Sequence, residues 1–141
     1  MEKIKYKIGN IGGDPIKESK FIVTKDENKF IMYSANLIDK DRPLHSTIAE
    51  ENQIDRKSVL GGGKFKLEDD LIFYGWSSGF GPVPNKVAYN LGKTLVDHLG
   101  QEYFNRRGIK FNIIKTKMDP CSQSKKHEEK WRELGFDDRK K

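Results

Sequence analysis

Alternating apolar and polar positions recur along the chain and predict a β-sheet. Residues 4–8 alternate strictly, and a period of two is typical of a strand with one buried face. In residues 30–38 the same period places Ser34 on one face with Phe30 and Met32. Further strands are predicted from alternating, β-branched or aromatic runs, which occupy residues 21–24, 64–67, 71–76 and 109–115.

A helical period predicts two main helices. The first spans residues 43–53, where Leu44, Ile48 and Ala49 lie at helical spacing. The second spans Asn85–Leu99, and Gly100 follows it as a stop signal. The apolar face of this second helix consists of Ala88, Leu91, Leu95 and Leu99.

The order of these elements predicts an α+β fold, in which a mixed β-sheet is flanked by the two main helices. Residues 122–136 predict an added amphipathic C-terminal helix, whose only large apolar anchors are Trp131 and Leu134. We therefore expect one α/β domain over residues 1–119 and a helical extension over residues 120–141.

The composition and charge of the chain indicate which ligand class and which cellular location to expect. The chain has 141 residues and a net charge of +6, from 27 Lys and Arg against 21 Asp and Glu. Because the charges are interspersed, we expect a compact anionic ligand in preference to duplex nucleic acid. No apolar run is long enough to span a bilayer, no secretory leader is visible, and the single Cys121 excludes an internal disulfide. These features predict a cytoplasmic protein without a membrane partner.

Two glycine-rich segments carry the candidate chemistry: GGGK at residues 61–64 and YGWSSGFGP at residues 74–82. Backbone N–H groups of a glycine loop that leads into a helix can point at one anion, and the helix dipole adds to the attraction. Ser77 supplies a hydroxyl donor and Lys64 a balancing charge. Tight turns and a bulge explain the same glycines, so spacing alone leaves both interpretations open.

These segments resemble the Janus / 14 kDa phosphohistidine phosphatase family. Its signature is a Gly-Gly-Gly-Arg strand start, then Tyr-Gly-Tyr-Ser and, two residues later, an aromatic-Gly-Pro before the second helix. The chain has VLGGGK at residues 59–64, YGWS at residues 74–77 and FGP at residues 80–82. The resemblance covers about residues 4–115 and implies a phosphohistidine-phosphatase-like fold.

The resemblance also implies a phosphate site. Lys5 matches a family lysine that contacts phosphate, Lys64 stands in place of the family arginine, and Gly79 offers an N–H donor. A lysine keeps the charge of arginine but loses its planar, two-pronged donor. The flanking aromatic residues either stack on a ligand ring or pack under the helix. The expected ligand-binding set is Lys5, Lys64, Trp76, Ser77, Ser78, Gly79 and Phe80.

The chain departs from the family at the catalytic position. The family sequence is Tyr-His-Ala-Asp, and its histidine is catalytic, whereas residues 33–36 here read YSAN and place Ser34 at that position. A serine hydroxyl does not replace an imidazole near neutral pH unless a base lies beside it. His45, at the start of the first helix, is the alternative histidine, and an exposed or capping role for it stays open. Ser34 and His45 are thus catalytic candidates without an assigned role.

Three functions follow from this sequence. The first is a module that binds a phosphorylated small molecule or nucleotide and lacks the family's phosphatase chemistry. The second is an active protein-histidine phosphatase or phosphoryl-transfer enzyme that uses the relocated His45. The third is a protein-interaction module whose C-terminal helix contacts a partner. No cofactor or metal is expected, because the sequence has no metal-ligand spacing and no Walker or dinucleotide fingerprint.

Overall fold

The fold is a six-stranded mixed sheet with helices on both faces. A computed structural model describes residues 4–12, 18–36, 45–75, 77, 80–110, 112–118 and 131–135. The strands follow the order β1-β3-β2-β4-β5-β6, in which the β1/β3 and β5/β6 pairs are parallel and the other pairs antiparallel. Their bounds are β1 Lys5–Gly12, β2 Ser19–Asp26, β3 Lys29–Asn36, β4 Val59–Leu67, β5 Leu71–Gly75 and β6 Ile114–Met118. The predicted α+β class and mixed sheet are confirmed.

The named α-helices within the described residues are α1 His45–Glu51, α2 Asn85–Leu99 and α3 Gln101–Arg106. The prediction for α2 is confirmed residue for residue. Of the helix predicted over residues 43–53, residues 43 and 44 lie outside the described residues, and α1 ends at Glu51, because Gln53 adopts a left-handed conformation with a φ of 56°. The third helix was not predicted, because Gly100 was interpreted as the end of helical structure. In the fold, Gly100 ends α2 and a new helix begins directly after it.

The two main helices lie on opposite faces of the sheet. Successive side chains of a strand point to opposite faces, so Ile22 lies on one face and Phe21 on the other. Phe21 packs in the cluster that contains Leu91 and Leu95 of α2. Ile22 packs instead with Ile48 of α1. The sheet therefore has an α2 face, which carries the larger core, and an α1 face.

Aromatic rings fill the middle of the α2 face. Phe21, Phe65 and Phe73 come from three neighbouring strands and are fully buried. Phe73 meets the Phe21 ring edge-on at a centroid distance of 5.3 Å and stacks on the Phe65 ring at 5.4 Å. Such pairs add about 0.5–1.5 kcal/mol each beyond the burial of their area. These contacts fix the relative positions of β2, β4 and β5.

The last strand differs from its prediction. It spans Ile114–Met118 rather than residues 109–115, because its register is set by parallel pairing of Ile114 with Leu71. Ile113 lies just outside the strand and is exposed, although its carbonyl still accepts a hydrogen bond from the Leu71 N–H. The prediction, which rested on the apolar run before the strand, therefore placed the strand several residues too early.

The C-terminal segment is anchored in the core. Trp131 is buried, its ring lies 5.5 Å from that of Phe30, and its indole N–H donates to the Pro82 carbonyl at 2.8 Å. Leu134 packs against the same core. Of the predicted terminal helix, the described residues include one helical turn at residues 131–133, and residues 122–130 lie outside them. Among the described residues, none of the helices combines the length and apolarity needed to cross a membrane.

Candidate functional site

The two glycine-rich segments contact each other. The Gly62 N–H on β4 donates to the Gly81 carbonyl at 3.1 Å, and the Gly81 N–H donates to the Ser77 carbonyl at 2.7 Å. The Ser77 N–H returns a longer bond, of 3.3 Å, to the same Gly81 carbonyl. The loop that follows β5 is therefore held against the middle of β4.

Close packing accounts for the triple glycine on β4. A Cβ atom on Gly61 would lie 2.2 Å from the Pro82 carbonyl oxygen, and one on Gly62 would lie 2.5 Å from that of Phe21. Both distances are far below a van der Waals contact, and both neighbours are backbone atoms. Close packing against the backbone is thus enough to explain these glycines, without an anion. Because the Gly62 N–H already donates to Gly81, this N–H is not offered to an anion, and the donors of an anion site beside β4 have to be side chains.

Ser77 supplies one of those donors. Its side chain is buried, and its Oγ accepts a hydrogen bond from the Phe80 N–H at 3.2 Å. A serine hydroxyl that accepts one bond can still donate its own hydrogen. The bond to Phe80 positions Oγ, and the hydroxyl hydrogen stays available for an acceptor.

His45 lies beside Ser77. A Cβ atom built on Gly62 would lie 3.0 Å from His45 Cδ2 and 3.3 Å from Ser77 Cβ, so both side chains approach the same point on the α1 face. His45 Nε2 lies 3.0 Å from the Gly63 carbonyl oxygen. A carbonyl only accepts, so Nε2 carries the hydrogen, and in the neutral ring Nδ1 carries the lone pair. The sequence left this contact open, because helix α1 and the loop are far apart along the chain.

The surroundings of His45 favour its neutral form. Burial lowers the pKa of the imidazole below its ordinary value of 6.5, and the nearby charges of Lys20 and Lys64 lower the pKa further. The hydrogen bond to Gly63 acts in the opposite direction but is outweighed. His45 is therefore neutral at pH 7, while two ammonium groups lie close enough to affect its titration.

Lys64 belongs to a row of residues that crosses the sheet. It pairs in register with Lys20 on β2 and with Tyr74 on β5. The Tyr74 hydroxyl donates to the Glu18 carboxylate. Burial, this hydrogen bond and the charge of Glu18 all raise the pKa of Tyr74, so the phenol stays protonated. Lys20 was missed in the sequence, where nothing links it to Lys64, because β2 and β4 become neighbours only in the folded sheet.

Lys5 is not brought to Lys64. It pairs with Lys29 at one end of β1, whereas the row that contains Lys64 reaches β1 at Gly12. The two ends of β1 are roughly 20 Å apart at the rise of an extended chain. The structure therefore groups Lys64, Ser77 and His45 and places Lys5 elsewhere on the sheet.

Ser34 lies on the face of the sheet opposite to His45. It is buried on the α2 face beside Phe30 and Met32, and it pairs with Phe21 on β2. Among the described residues its Oγ has no hydrogen-bond partner. No imidazole or carboxylate activates this hydroxyl in the described part of the chain, and the two catalytic candidates do not form one site.

The aromatic candidate Phe80 is part of the core. It is buried with Ile22 and Ile48 under α1, and the Arg56 guanidinium lies 5.6 Å from the centre of its ring. Of the two roles left open in the sequence, the structure favours packing for Phe80. The remaining candidates, Trp76, Ser78 and Gly79, lie outside the described residues.

The helix start is set back from the glycine loop. Three buried residues, 82–84, separate the loop from Asn85, and Pro84 precedes α2 without a side-chain cap. The Asn85 side-chain oxygen accepts a hydrogen bond from the Met118 N–H, which ties α2 to β6. The site on the α1 face therefore depends mainly on its side chains.

Chemically, the site combines an ammonium group, a hydroxyl and a neutral imidazole, a set suited to an oxyanion. Within the described ranges, no group of three or more His, Cys, Asp or Glu side chains could hold a metal ion. No protein-family model matches the sequence, and none of the curated proteins with which it was compared shows a significant match.

Proposed function

We propose that this chain binds a phosphorylated small molecule or nucleotide through an anion site formed by Lys64, Ser77 and His45. The observation that carries the proposal is that the His45 and Ser77 side chains are neighbours on the α1 face, and that the charge of Lys64 acts on the His45 imidazole. Phosphate oxygens need hydrogen-bond donors and positive charge, and these side chains provide both.

The electrostatics of His45 support an anion in particular. The ammonium groups that lower the pKa of its imidazole attract an oxyanion placed between them. Such an anion compensates their charge, and it favours a protonated imidazole that donates from both nitrogens. Binding of the anion is therefore coupled to uptake of a proton by His45.

We further propose that the fold is phosphohistidine-phosphatase-like, on the support of the motif order and of the mixed sheet between helices. The family's own chemistry is absent in this proposal, since Ser34 stands at the histidine position and its hydroxyl is buried without a base. The chain then acts as a ligand-binding or sequestering module. A cytoplasmic location is in keeping with the single Cys121.

Calorimetric titration with inorganic phosphate, nucleoside monophosphates and a phosphopeptide tests the binding function. The variants Lys64→Ala and Ser77→Ala should each weaken the tightest ligand by about 1–3 kcal/mol, as expected for a charge-assisted contact. Lys86→Ala is the control, because Lys86 is an exposed lysine on α2, on the other face of the sheet. If neither Lys64→Ala nor Ser77→Ala changes the affinity, the anion site lies elsewhere.

A second candidate function is phosphoryl transfer through His45, favoured by the bond from Nε2 to Gly63 that leaves the Nδ1 lone pair available. In hydrolysis, Nδ1 takes a proton from water while the water oxygen attacks phosphorus and the bond to the leaving group breaks. Phosphate release from a phosphoramidate, followed by ³¹P NMR, tests this function. A rate abolished by His45→Gln, with phosphate binding retained, would establish it over simple binding.

A further inference from the structure

Beside the anion site, the α1 face carries a charged surface formed by β4, β5 and β6. Alternation along these strands puts Phe65 and Phe73 into the core of the α2 face, and their neighbours therefore point the other way. Helix α1 packs over β2 and β3, and within the described residues no helix packs over β5 and β6 on this side. The outward side chains form a surface that we call the basic face, made of Lys64, Lys66, Ile72, Tyr74, Lys115 and Lys117.

The basic face is a regular array. Lys66 aligns with Ile72 and Lys115 in one row of cross-strand pairs, and Lys64, Tyr74 and Lys117 form the next row. On each outer strand the two lysines are two residues apart, which is about 7 Å along an extended chain. Ile72 and Tyr74 form a half-buried strip between the lysine pairs.

We propose that the basic face binds an acidic protein segment in an extended conformation. In an extended peptide, acidic side chains at every second position lie on one side, about 7 Å apart. This spacing matches the lysine pairs on β4 and β6, and the strip between them offers apolar contact to the peptide. The charges are complementary, and lysines two residues apart select for alternating rather than contiguous acidic residues.

Two contacts within the chain already show carboxylates on this surface. The Asp70 carboxylate forms an ion pair with Lys115 at 2.9 Å, and the Glu18 carboxylate accepts the Tyr74 hydroxyl hydrogen. An incoming carboxylate finds the same donors on Lys66 and Lys117. Asp70 lies in the turn between β4 and β5, where its carboxylate repels those of the peptide. The peptide's acidic side chains therefore concentrate toward the other end of β5 and β6, near Lys117.

The side chains of the basic face disfavour a single-stranded nucleic acid. Proteins that bind single strands stack bases on aromatic rings beside a positive groove. Among the described residues of the basic face Tyr74 is the only aromatic ring, and a single ring does not stack successive bases. An acidic peptide, which needs no stacking platform, therefore fits better.

Fluorescence anisotropy with the full chain tests this proposal. The probes are a labelled peptide of alternating glutamate and serine, a peptide of the same composition with its glutamates in one block, and an oligouridylate of equal charge. The double variant Lys66→Ala/Lys117→Ala should bind the alternating peptide about five to ten times more weakly. The control Lys86→Ala/Lys93→Ala removes the same charge from the exposed side of α2 and should change binding less than about twofold.

Three results would overturn the proposal: equal loss of binding in the test and control variants, equal affinity for the alternating and block peptides, or tighter binding of the oligouridylate. The test variants leave Lys64, Ser77 and His45 intact. Phosphate titration of the same variants therefore distinguishes a failure of the basic face from a failure of the anion site. Since Lys66 and Lys117 are not buried, their replacement should leave the melting temperature unchanged.

Discussion

The indole N–H of Trp131 donates to the Pro82 carbonyl at 2.8 Å, across 49 positions of sequence. Both residues are buried, and Pro82 directly follows the loop that positions Ser77. The contact ties the C-terminal segment to the chain just before α2. Removal of the donor leaves a buried carbonyl without this partner, which is costly in a protein interior.

Substitution of Trp131 should therefore show a graded loss of stability. Trp131→Ala should lower the free energy of unfolding by about 3–5 kcal/mol, because it removes a large buried side chain. Trp131→Phe keeps an aromatic ring without the N–H and should lose about 1–3 kcal/mol. Urea unfolding measures both, with the exposed neighbour Glu133→Ala as control. Wild-type stability in Trp131→Ala would contradict the anchoring of this segment.

Two of the buried serines, Ser34 and Ser77, should respond in opposite directions. Ser34→Ala removes a hydroxyl without a partner among the described residues and should raise the free energy of unfolding by about 1 kcal/mol. Ser77→Ala removes the acceptor of the Phe80 N–H and should lower it by about 1 kcal/mol or more. Thermal and urea unfolding of the two variants side by side check the difference. A destabilised Ser34→Ala would mean that the hydroxyl has an important partner.

Gly62 should tolerate no side chain. In Gly62→Ala the new Cβ would lie 2.5 Å from the Phe21 carbonyl oxygen and 3.0 Å from His45 Cδ2. The sheet would have to separate locally, at a cost of about 1–3 kcal/mol. Lys66→Ala on the same strand should stay within about 0.5 kcal/mol of wild type. Equal stability of the two variants, measured by urea unfolding, would show that β4 is not packed as described.

His45 should make stability depend on pH. Its pKa is lower in the folded protein than its ordinary value of 6.5, so the unfolded chain binds more protons between the two values. The free energy of unfolding should accordingly fall as pH drops below about 6.5 and level off below the folded pKa. His45→Gln should remove this part of the dependence in urea titrations at several pH values. His98→Gln, at an exposed position of α2, is the control.

Proton uptake by His45 should also appear in binding. Sulfate keeps a constant charge over this range, so it isolates the protein's own titration. Its affinity should rise as pH falls from above 6.5, because a protonated imidazole adds a donor and a charge to the anion site. In His45→Gln the affinity should vary much less with pH. Calorimetry at several pH values measures this affinity. The same pH dependence of sulfate affinity in the wild type and in the variant would contradict the site.

Local pattern determined several elements of this protein. The spacing of Ala88, Leu91 and Leu95, followed by Gly100, predicted α2 over its full length, because a helix is selected by contacts within four residues. The alternation that places Phe30 and Met32 on one face of β3 was predicted for the same reason, since a strand's faces follow directly from a period of two. The two glycine-rich segments were also visible as a pair.

Only the tertiary structure decided which distant residues meet. Pairing of β6 with β5 moved the last strand to Ile114–Met118, and the order of strands separated Lys5 from Lys64. The approach of His45 to Ser77 required α1 to pack on one particular face of the sheet. Strand order, register and the choice of face depend on side chains far apart in sequence that fit together in the core, and no local period encodes that fit.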